Sequence, residues 1–280
     1  MEKRYSSVYG LEKASILKRV SAYILDAILT VILASGFLFA ISAIVKYDSY
    51  YERMDQFYEE FEETNGFSFN MFSKAEEDLN DKEKQIKEIS SKDEKDLTLE
   101  EKEIKESYEK AIEDFVSNKD MLYVYNMLIS LTLVMVTAST LLSILIIEFV
   151  IPLFFKNGQT IGKKCFGLCL VKSDCVRINA PILFIRTLLG KFTVETMIPI
   201  YIIIMIIFGG AGLTGTVVLV LILIIQLILI VSTKNNCLIH DLMAGTVVVD
   251  KNGQMIFDSE SDLIEFKKNF HKEEIAKKEY

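Results

Sequence analysis

The chain has 280 residues and a formal net charge of −8, and its composition combines two unlike parts, since 51% of the residues are hydrophobic while 25% are charged. Three prolines exclude a collagen-like chain, four cysteines are too few for a disulfide-dense scaffold, and the acidic balance gives no reason to expect a nucleic-acid partner. All four cysteines fall in segments that we place in the cytosol, where thiols stay reduced: Cys165, Cys169, Cys175 and Cys237.

The first apolar segment, residues 19–45, predicts a membrane-spanning helix. Beyond Arg19 its only charged residue is Asp26, and about 26 residues at ~1.5 Å each exceed the ~30 Å hydrocarbon core of a bilayer. The segment is also too long for the apolar region of a secretory signal, which has ~7–15 residues. Polar side chains recur at spacings of three and four, on one face of the helix: Ser15, Arg19, Tyr23, Asp26 and Thr30. Because a charge at membrane depth costs a few kcal/mol, we expect this face to meet other helices or a wet cavity.

Residues 47–120 form an acidic insert. They hold 24 acidic and 11 basic residues, a net charge of −13, whereas the rest of the chain sums to +5. Periodicity predicts helices at 50–63, at 73–89 and from Thr98, where Thr98 and Glu101 match a capping box. Glutamate and lysine four residues apart predict weak ion pairs: Glu83–Lys87, Glu101–Lys105 and Glu106–Lys110. We expect a solvated helical stalk outside the cell, and the alternative is a docking surface for a partner there.

Short strands and a final helix are predicted near the other spans. Residues 166–172 and 246–249 have strand composition, and 250–253 is a turn signal that leads to 254–257, which together predict a small β-hairpin. A charged helix follows from Ser259, with apolar residues spaced to rest on the sheet or on lipid headgroups: Leu263, Phe266 and Phe270.

Three further apolar runs are each long enough to span a bilayer, at 121–155, 181–208 and 213–233. Lysine and arginine cluster in the amino tail, in the 156–180 loop and in the carboxyl tail, so the positive-inside rule predicts that both termini are cytosolic and that the insert is outside. The predicted fold class is an all-α membrane protein with four transmembrane helices, a small cytosolic β-hairpin and an extracytoplasmic helical insert. The predicted segments are the cytosolic amino tail with span one (1–46), the insert (47–120), span two (121–155), a cytosolic loop (156–180), span three (181–208), span four (209–233) and the cytosolic carboxyl-terminal hairpin and helix (234–280).

No motif in the sequence indicates catalysis. The glycine-lysine motif at 158–164 has four residues, not five, between its first glycine and Lys163, and Lys164 stands where a phosphate loop has Ser or Thr, so we expect a tight turn with lysines at the headgroup level. Neither a nucleophile elbow nor a zinc-protease motif is present, and we expect neither enzyme activity nor a cofactor. The cysteine and histidine spacing matches no standard zinc site, so we expect no metal and interior packing of these residues: Cys165, Cys169, Cys237 and His240.

The charged residues within the spans are the most informative set. Asp26, Glu148 and Gln226 each lie about seven residues, roughly 10 Å at helical rise, from the cytosolic end of a span, and Arg186 enters near that end of span three. Such a cluster is either a salt-bridge lock for helix packing or a site that exchanges protons or cations. A further ion pair is predicted on span three: Lys191 with Glu195.

Three segments together resemble the RDD family of bacterial multipass membrane proteins. Residues 17–26 (LKRVSAYILD) resemble its first-span pattern, 158–168 (GQTIGKKCFGL) its glycine-lysine loop and 240–249 (HDLMAGTVVV) its closing signature. By this resemblance Arg19, Asp26 and Asp241 are the arginine and two aspartates that name the family, and Arg186 falls where members tend to carry another arginine. The resemblance covers about 20–46 and 121–250.

Two features depart from the family pattern. Cys169 stands where an arginine or another polar residue is common, and the 47–120 insert replaces a connection that is usually short. The resemblance implies a plasma-membrane protein, with some relatives implicated in sodium/proton exchange or other transport.

The expected function is that of an integral cell-membrane transporter or transporter subunit that exchanges protons for a monovalent cation. We expect Asp26 to carry the exchangeable charge, Arg19 and Arg186 to set its pKa, and Asp241 to brace the cytosolic mouth. The alternative is a non-catalytic scaffold whose stalk recruits an envelope partner, while the charges only lock helix packing. We expect the bilayer and further copies of the chain as partners. The predicted transport cluster is Arg19, Asp26, Glu148, Arg186 and Asp241.

Overall fold

The computed structural model describes residues 11–155, 157–207, 212–233 and 235–278. Of the glycine-rich link 209–212 between predicted spans three and four, residues 209–211 therefore lie outside the described residues. By compactness the chain divides into two units, Leu38–Val136 and the rest. In chain order the elements are α1 (Ile16–Val45), α2 (Tyr47–Asn65), α3 (Asp81–Ser90), α4 (Leu99–Val116), α5 (Lys119–Phe154), α6 (Ile161–Cys165), β1 (Leu168–Lys172), α7 (Ala180–Ile207), α8 (Gly212–Ser232), α9 (Ile239–Ala244), β2 (Thr246–Asp250) and α10 (Glu260–Lys278).

Four helices, α1, α5, α7 and α8, are long and apolar enough to cross a membrane. They confirm the four predicted apolar helices to within a few residues. The polar face predicted for α1 is confirmed for Arg19 and Asp26, which are only 9% and 2% exposed while Val31 and Ile32 are each 64% exposed. Two other members of the predicted face are exposed: Ser15 and Tyr23. This helix therefore turns its charges toward the protein and its aliphatic side chains outward.

Two of the long helices contain π-helical stretches, at Ile146–Val150 in α5 and at Arg186–Met197 in α7. Such turns are frequent at functional sites, since the wider winding changes the direction in which side chains project. Along Arg186–Met197 the hydroxyl groups of Thr193 and Thr196 donate to carbonyl oxygens five residues back. The predicted Lys191–Glu195 pair is wrong, because each of these residues bonds instead to a partner on another segment.

The two strands form an antiparallel sheet in which Leu168 pairs with Asp250 and Lys172 with Thr246. The predicted hairpin between 246–249 and 254–257 is wrong. Residues near the amino terminus take the place that this second arm would need: Lys13 bridges to Val249, and the Asp250 amide donates to the Glu12 carbonyl oxygen. Residues 254–256 are therefore not in a strand, and Phe257 makes only a parallel bridge to Val176.

The final helix, α10, packs its apolar side chains as predicted. Leu263 and Phe266 contact a cluster built from Cys175, Val176 and Phe257. The Phe266 ring lies 5.3 Å from that of Phe257, and Phe270 stacks on it at 6.3 Å. The helix is thus fastened to the residues beside the sheet by its aromatic face.

The insert has an apolar core of its own, which the expectation of a solvated stalk did not include. Aromatic side chains from α2, α4 and the segment between α2 and α3 meet there, with ring centroids 4.7 Å apart for Phe61 and Phe115 and 5.3 Å apart for Phe61 and Phe67. Met71 and Ile86 are buried against the same cluster. The insert is therefore a small folded helical unit.

Capping residues set the helix boundaries within the insert. The predicted capping box of Thr98 and Glu101 is confirmed at the start of α4. The helix predicted at 73–89 begins only at Asp81, because Asn80 and Glu83 form a second capping box.

The three predicted glutamate–lysine pairs do not occur among the ion pairs of the described residues. Exposed pairs at this spacing are worth only tenths of a kcal/mol, so other partners compete easily. The Glu83 carboxylate is buried and accepts from Ser68 and Lys74, and Glu101 pairs with Lys92 at 2.7 Å.

Candidate functional site

Asp241 lies at the centre of a buried ion-pair cluster in the unit that contains α7 and α9. Its Oδ1 accepts from Nε and Nη2 of Arg186, each at 3.1 Å, and its Oδ2 accepts from Nη2 of Arg19 at 3.1 Å. A second nitrogen of Arg19, Nη1, donates to the Asn235 carbonyl oxygen at 2.9 Å. Burial alone would raise the pKa of Asp241, but its neighbours His240, Arg186 and Arg19 outweigh burial and hold this pKa at about 2. Asp241 is therefore ionised and fully paired.

Glu148, on the π-helical turn of α5, is the second carboxylate of the cluster. It is completely buried and is shared by three bases: Arg186 at 3.5 Å, Lys163 at 3.4 Å and Lys191. Arg186 thus joins Glu148 to Asp241. Burial lowers the pKa of the Lys163 ammonium group, and the attraction of Glu148 opposes that shift. The expectation that the loop lysines lie at the headgroup level is wrong for Lys163, which is only 7% exposed.

Asp26 is buried in α1 but is held differently from the other two carboxylates. Its Oδ2 accepts from the Thr160 hydroxyl group at 2.5 Å and its Oδ1 from the Gly162 amide at 2.8 Å, and among the described residues it makes no ion pair. Arg19 and Arg186, which we expected to set the charge state of Asp26, pair with Asp241 instead.

The glycine-lysine motif supplies both donors to Asp26. Thr160 caps α6, and Gly162 fits against α1 because it has no side chain: a Cβ there would lie 2.9 Å from the Asp26 carboxyl carbon and would also collide with the Ala22 carbonyl oxygen. The motif that superficially resembles a phosphate loop therefore binds a carboxylate of the same chain.

A histidine–glutamate pair lies beside this cluster, and the sequence did not predict it. His240 Nδ1 lies 2.7 Å from Glu195 Oε2, and the His240 amide donates to Oε1 at 3.1 Å. The backbones approach so closely that a Cβ on Gly190 would lie 2.6 Å from the His240 Cα atom. Glycine at this position of α7 is the only available sequence signal, and it shows that a close contact exists but not which residue makes it.

Charged residues contribute to the lining of a cavity of about 490 Å³. Of the five predicted cluster residues, Arg19, Asp26, Arg186 and Asp241 line it, whereas Glu148 does not. Gln226 of α8 also lines the cavity, so two of the three polar residues predicted at a common depth face the same space. Four further polar residues line the cavity, and the sequence did not predict them as members of the cluster: Lys163, Lys191, Glu195 and His240.

The cysteines do not gather into a site. Cys169 and Cys237 pack in one buried apolar cluster, where burial raises the pKa of the Cys169 thiol to about 11. Cys165 is exposed. Within the described part of the chain, no group of three or more His, Cys, Asp or Glu side chains is placed to hold a metal ion.

Comparison with known proteins agrees with the resemblance seen in the sequence. The model of the RDD family matches residues 115–245, which include Glu148, Arg186 and Asp241. The match begins at the end of the insert, and therefore does not include Arg19 or Asp26, although the structure joins Arg19 to Asp241. No curated protein and no solved structure matches the chain. The helices and the family match together identify a membrane protein that carries an RDD family domain at residues 115–245.

Proposed function

We propose that this protein is a membrane transporter, or the membrane subunit of one, that exchanges protons for a monovalent cation at Asp26. One observation carries the proposal: of the three carboxylates that line the cavity, Asp26 is the one with no basic side chain within ion-pair or hydrogen-bond distance among the described residues. Asp241 pairs with two arginines, and Glu195 pairs with His240.

The fully paired groups supply the frame of such a site rather than its exchangeable charge. Asp241 and Glu148 hold α1, α5, α7 and α9 together through Arg19 and Arg186. Removing a proton or a base from this arrangement leaves an uncompensated buried charge, which costs several kcal/mol. We therefore expect these residues to stay charged while Asp26 exchanges a proton for a cation.

Asp26 has the chemistry that exchange requires. Its two present hydrogen-bond donors, a hydroxyl group and a backbone amide, carry no charge. The Lys163 ammonium group, whose positive charge acts on Asp26, forms its ion pair with Glu148. An ionised carboxylate at membrane depth is costly when it is alone, about 2.5–3.5 kcal/mol even on the insertion scale. Either a proton or a cation from the cavity relieves that cost, and because the two compete for one carboxylate, binding of one releases the other.

We also propose that the protein lies in the cell membrane with both termini in the cytosol and with the insert outside. The clusters of lysine and arginine beside the ends of the apolar segments support this orientation. Since the cavity is built by a few helices only, we propose that several copies of the chain assemble.

Flux measurements in proteoliposomes test the exchange. Purified protein should acidify or alkalinise the vesicle lumen when a gradient of a monovalent cation is imposed, and Asp26→Asn should abolish this coupling while Asp26→Glu retains part of it. Asp120→Asn, which changes an exposed carboxylate of the same chain, should behave like the wild type. We would abandon the proposal if Asp26→Asn transported at the wild-type rate.

A second function, that of a scaffold which recruits an envelope partner, is favoured by the insert. Leu38–Val136 forms a compact unit with its own aromatic core, as a docking domain would. Deleting 50–117 and bridging the gap separates the two functions. A transporter keeps its flux after this deletion, whereas a scaffold loses its partner in a pull-down from envelope extracts.

A further inference from the structure

The cavity is larger than a hydrated monovalent cation requires. A monovalent cation with about six water molecules occupies roughly 200 Å³, at about 30 Å³ per water molecule. The cavity has about 490 Å³, so more than half of it would remain beyond such an ion. This volume lies in the range of sites for small organic molecules, roughly 300–1,000 Å³.

Most of the cavity lining is apolar. One face of α8 supplies Ile222, Leu223, Leu227 and Ile230 at helical spacing, and Pro199 of α7 also lines the space. Water is poorly stabilised in an apolar space, since each molecule needs two to four polar partners. The apolar part of the cavity therefore suits a hydrocarbon body rather than a hydration shell.

The charged residues that line the cavity favour binding of a cation over binding of an anion. Each of the lining bases, Arg19, Lys163, Arg186 and Lys191, already forms an ion pair with a carboxylate. Asp26 forms no ion pair among the described residues, although Lys163 attracts it from beyond ion-pair distance. An anion would have to break an existing ion pair, while a cation would gain one.

Gln226 adds a polar group to the apolar wall that α8 contributes to the cavity. It lies on the same face of α8 as the apolar residues, and the structure gives its amide no hydrogen-bond partner among the described residues. A polar group without a partner inside an apolar helix is costly unless a ligand or water satisfies it. Its carbonyl oxygen is thus free to accept a hydrogen bond from a ligand head group.

We propose, on the basis of the exchange function above, that the exchanged ion is a lipophilic organic cation. Its positive charge displaces the proton of Asp26, and its apolar groups lie against Ile222, Leu227 and Pro199. The proton leaves as the cation binds, so the charge of the site is the same in both states.

Binding of a lipophilic cation and of an anion of nearly the same size and shape tests this inference. Tetraphenylphosphonium and tetraphenylborate differ chiefly in the sign of their charge, and binding of each to the full chain in detergent can be measured by equilibrium dialysis. We expect the cation to bind at least about 10-fold more tightly than the anion. Equal binding, or tighter binding of the anion, would overturn the inference.

A cavity-filling variant and a matched control locate the binding. Ile222→Trp fills the apolar part of the cavity and should weaken cation binding at least about 10-fold. Ile225→Trp makes the same change on the same helix at a residue that does not line the cavity and is 48% exposed, so it should bind like the wild type. Should Ile222→Trp not fold, Ile230→Trp makes the same test at another half-buried residue that lines the cavity, and unchanged binding by either folded variant contradicts the inference.

Flux of sodium or potassium in the same vesicles distinguishes failure of this inference from failure of the exchange function. If Ile222→Trp exchanges sodium or potassium for protons normally and tetraphenylphosphonium does not inhibit, the substrate is inorganic and only the inference fails. If Asp26→Asn leaves every flux unchanged, the exchange function itself fails.

Discussion

Replacing Asp241 by asparagine should severely destabilise the protein, because it leaves arginine side chains buried without a counter-charge. Asp241 accepts three N–H groups at 3.1 Å from Arg19 and Arg186, whose side chains are only 7% and 2% exposed. Arg186 keeps Glu148 after the change, but Arg19 keeps only the Asn235 carbonyl oxygen among the described residues.

The expected loss is about 3–5 kcal/mol of unfolding free energy, the typical effect of removing one partner from a buried ion pair. Denaturant titration of the purified protein in mixed micelles, followed by circular dichroism, measures this quantity. Asp250→Asn is the matched control, since it changes the same chemical group in an exposed pair with Lys18 and should cost no more than about 1 kcal/mol.

A double variant tests the reason for the effect. Arg19→Met combined with Asp241→Asn removes the charge that the single change leaves unpaired, so part of the lost stability should return. The reasoning is refuted if Asp241→Asn is as mild as Asp250→Asn, or if the added Arg19→Met change lowers stability further.

Two other predictions concern packing and pH. Gly190→Ala should cost about 1–3 kcal/mol of unfolding free energy, because its Cβ would lie 2.6 Å from the His240 Cα atom. Gly36→Ala is the control, since a Cβ there would have no atom within 4 Å, and it should be neutral or stabilising. Thermal unfolding in detergent compares the two variants, and equal melting temperatures would contradict the close contact. Burial would raise the pKa of Glu83 in the insert, but hydrogen bonds from Ser68, Asn80 and Lys74 outweigh burial and lower this pKa from 4.5 to about 2. Above pH 4.5 the ionised form therefore contributes up to about 3 kcal/mol to the unfolding free energy, and this contribution is lost as the pH falls toward 2. The difference in unfolding free energy between the wild type and Glu83→Gln should accordingly shrink as the pH falls through this window, and a difference that does not change with pH would contradict the hydrogen-bonding account.

The sequence was sufficient to locate the membrane helices and the face of α1 that avoids lipid. Apolar length and the seven-residue spacing of Arg19 and Asp26, about two helical turns, are local properties, and local properties can be read from one chain. The same is true of the Thr98 capping box, which needs only two residues three apart.

The partners of the buried charges could not be predicted, because they come from distant parts of the chain. Arg19 and Asp241 are 222 residues apart, and Asp26 and Gly162 are 136 apart. Spacing shows that Asp26 must be satisfied, but it does not show that a hydroxyl group and an amide satisfy it while the arginines go elsewhere. The π-helical winding of Arg186–Met197 adds to the difficulty, since the expected pair of Lys191 and Glu195 assumed α-helical spacing.

The β-hairpin illustrates the same limit on the scale of strands. Residues 250–253 carry a turn signal, and a turn does form there, but the place that the second arm would need is taken by Glu12 and Lys13. Turn chemistry predicts where the chain reverses, whereas competition for a sheet edge is decided by segments far away in sequence.

Proton release on cation binding tests the central claim, exchange at Asp26, most directly. Purified protein in a weakly buffered detergent solution is titrated with sodium, potassium or tetraphenylphosphonium while the pH is recorded. The account predicts that the wild type releases a proton for each cation bound at this site and that Asp26→Asn releases none. Cation binding without proton release by the wild type, or equal release by Asp26→Asn, would contradict it.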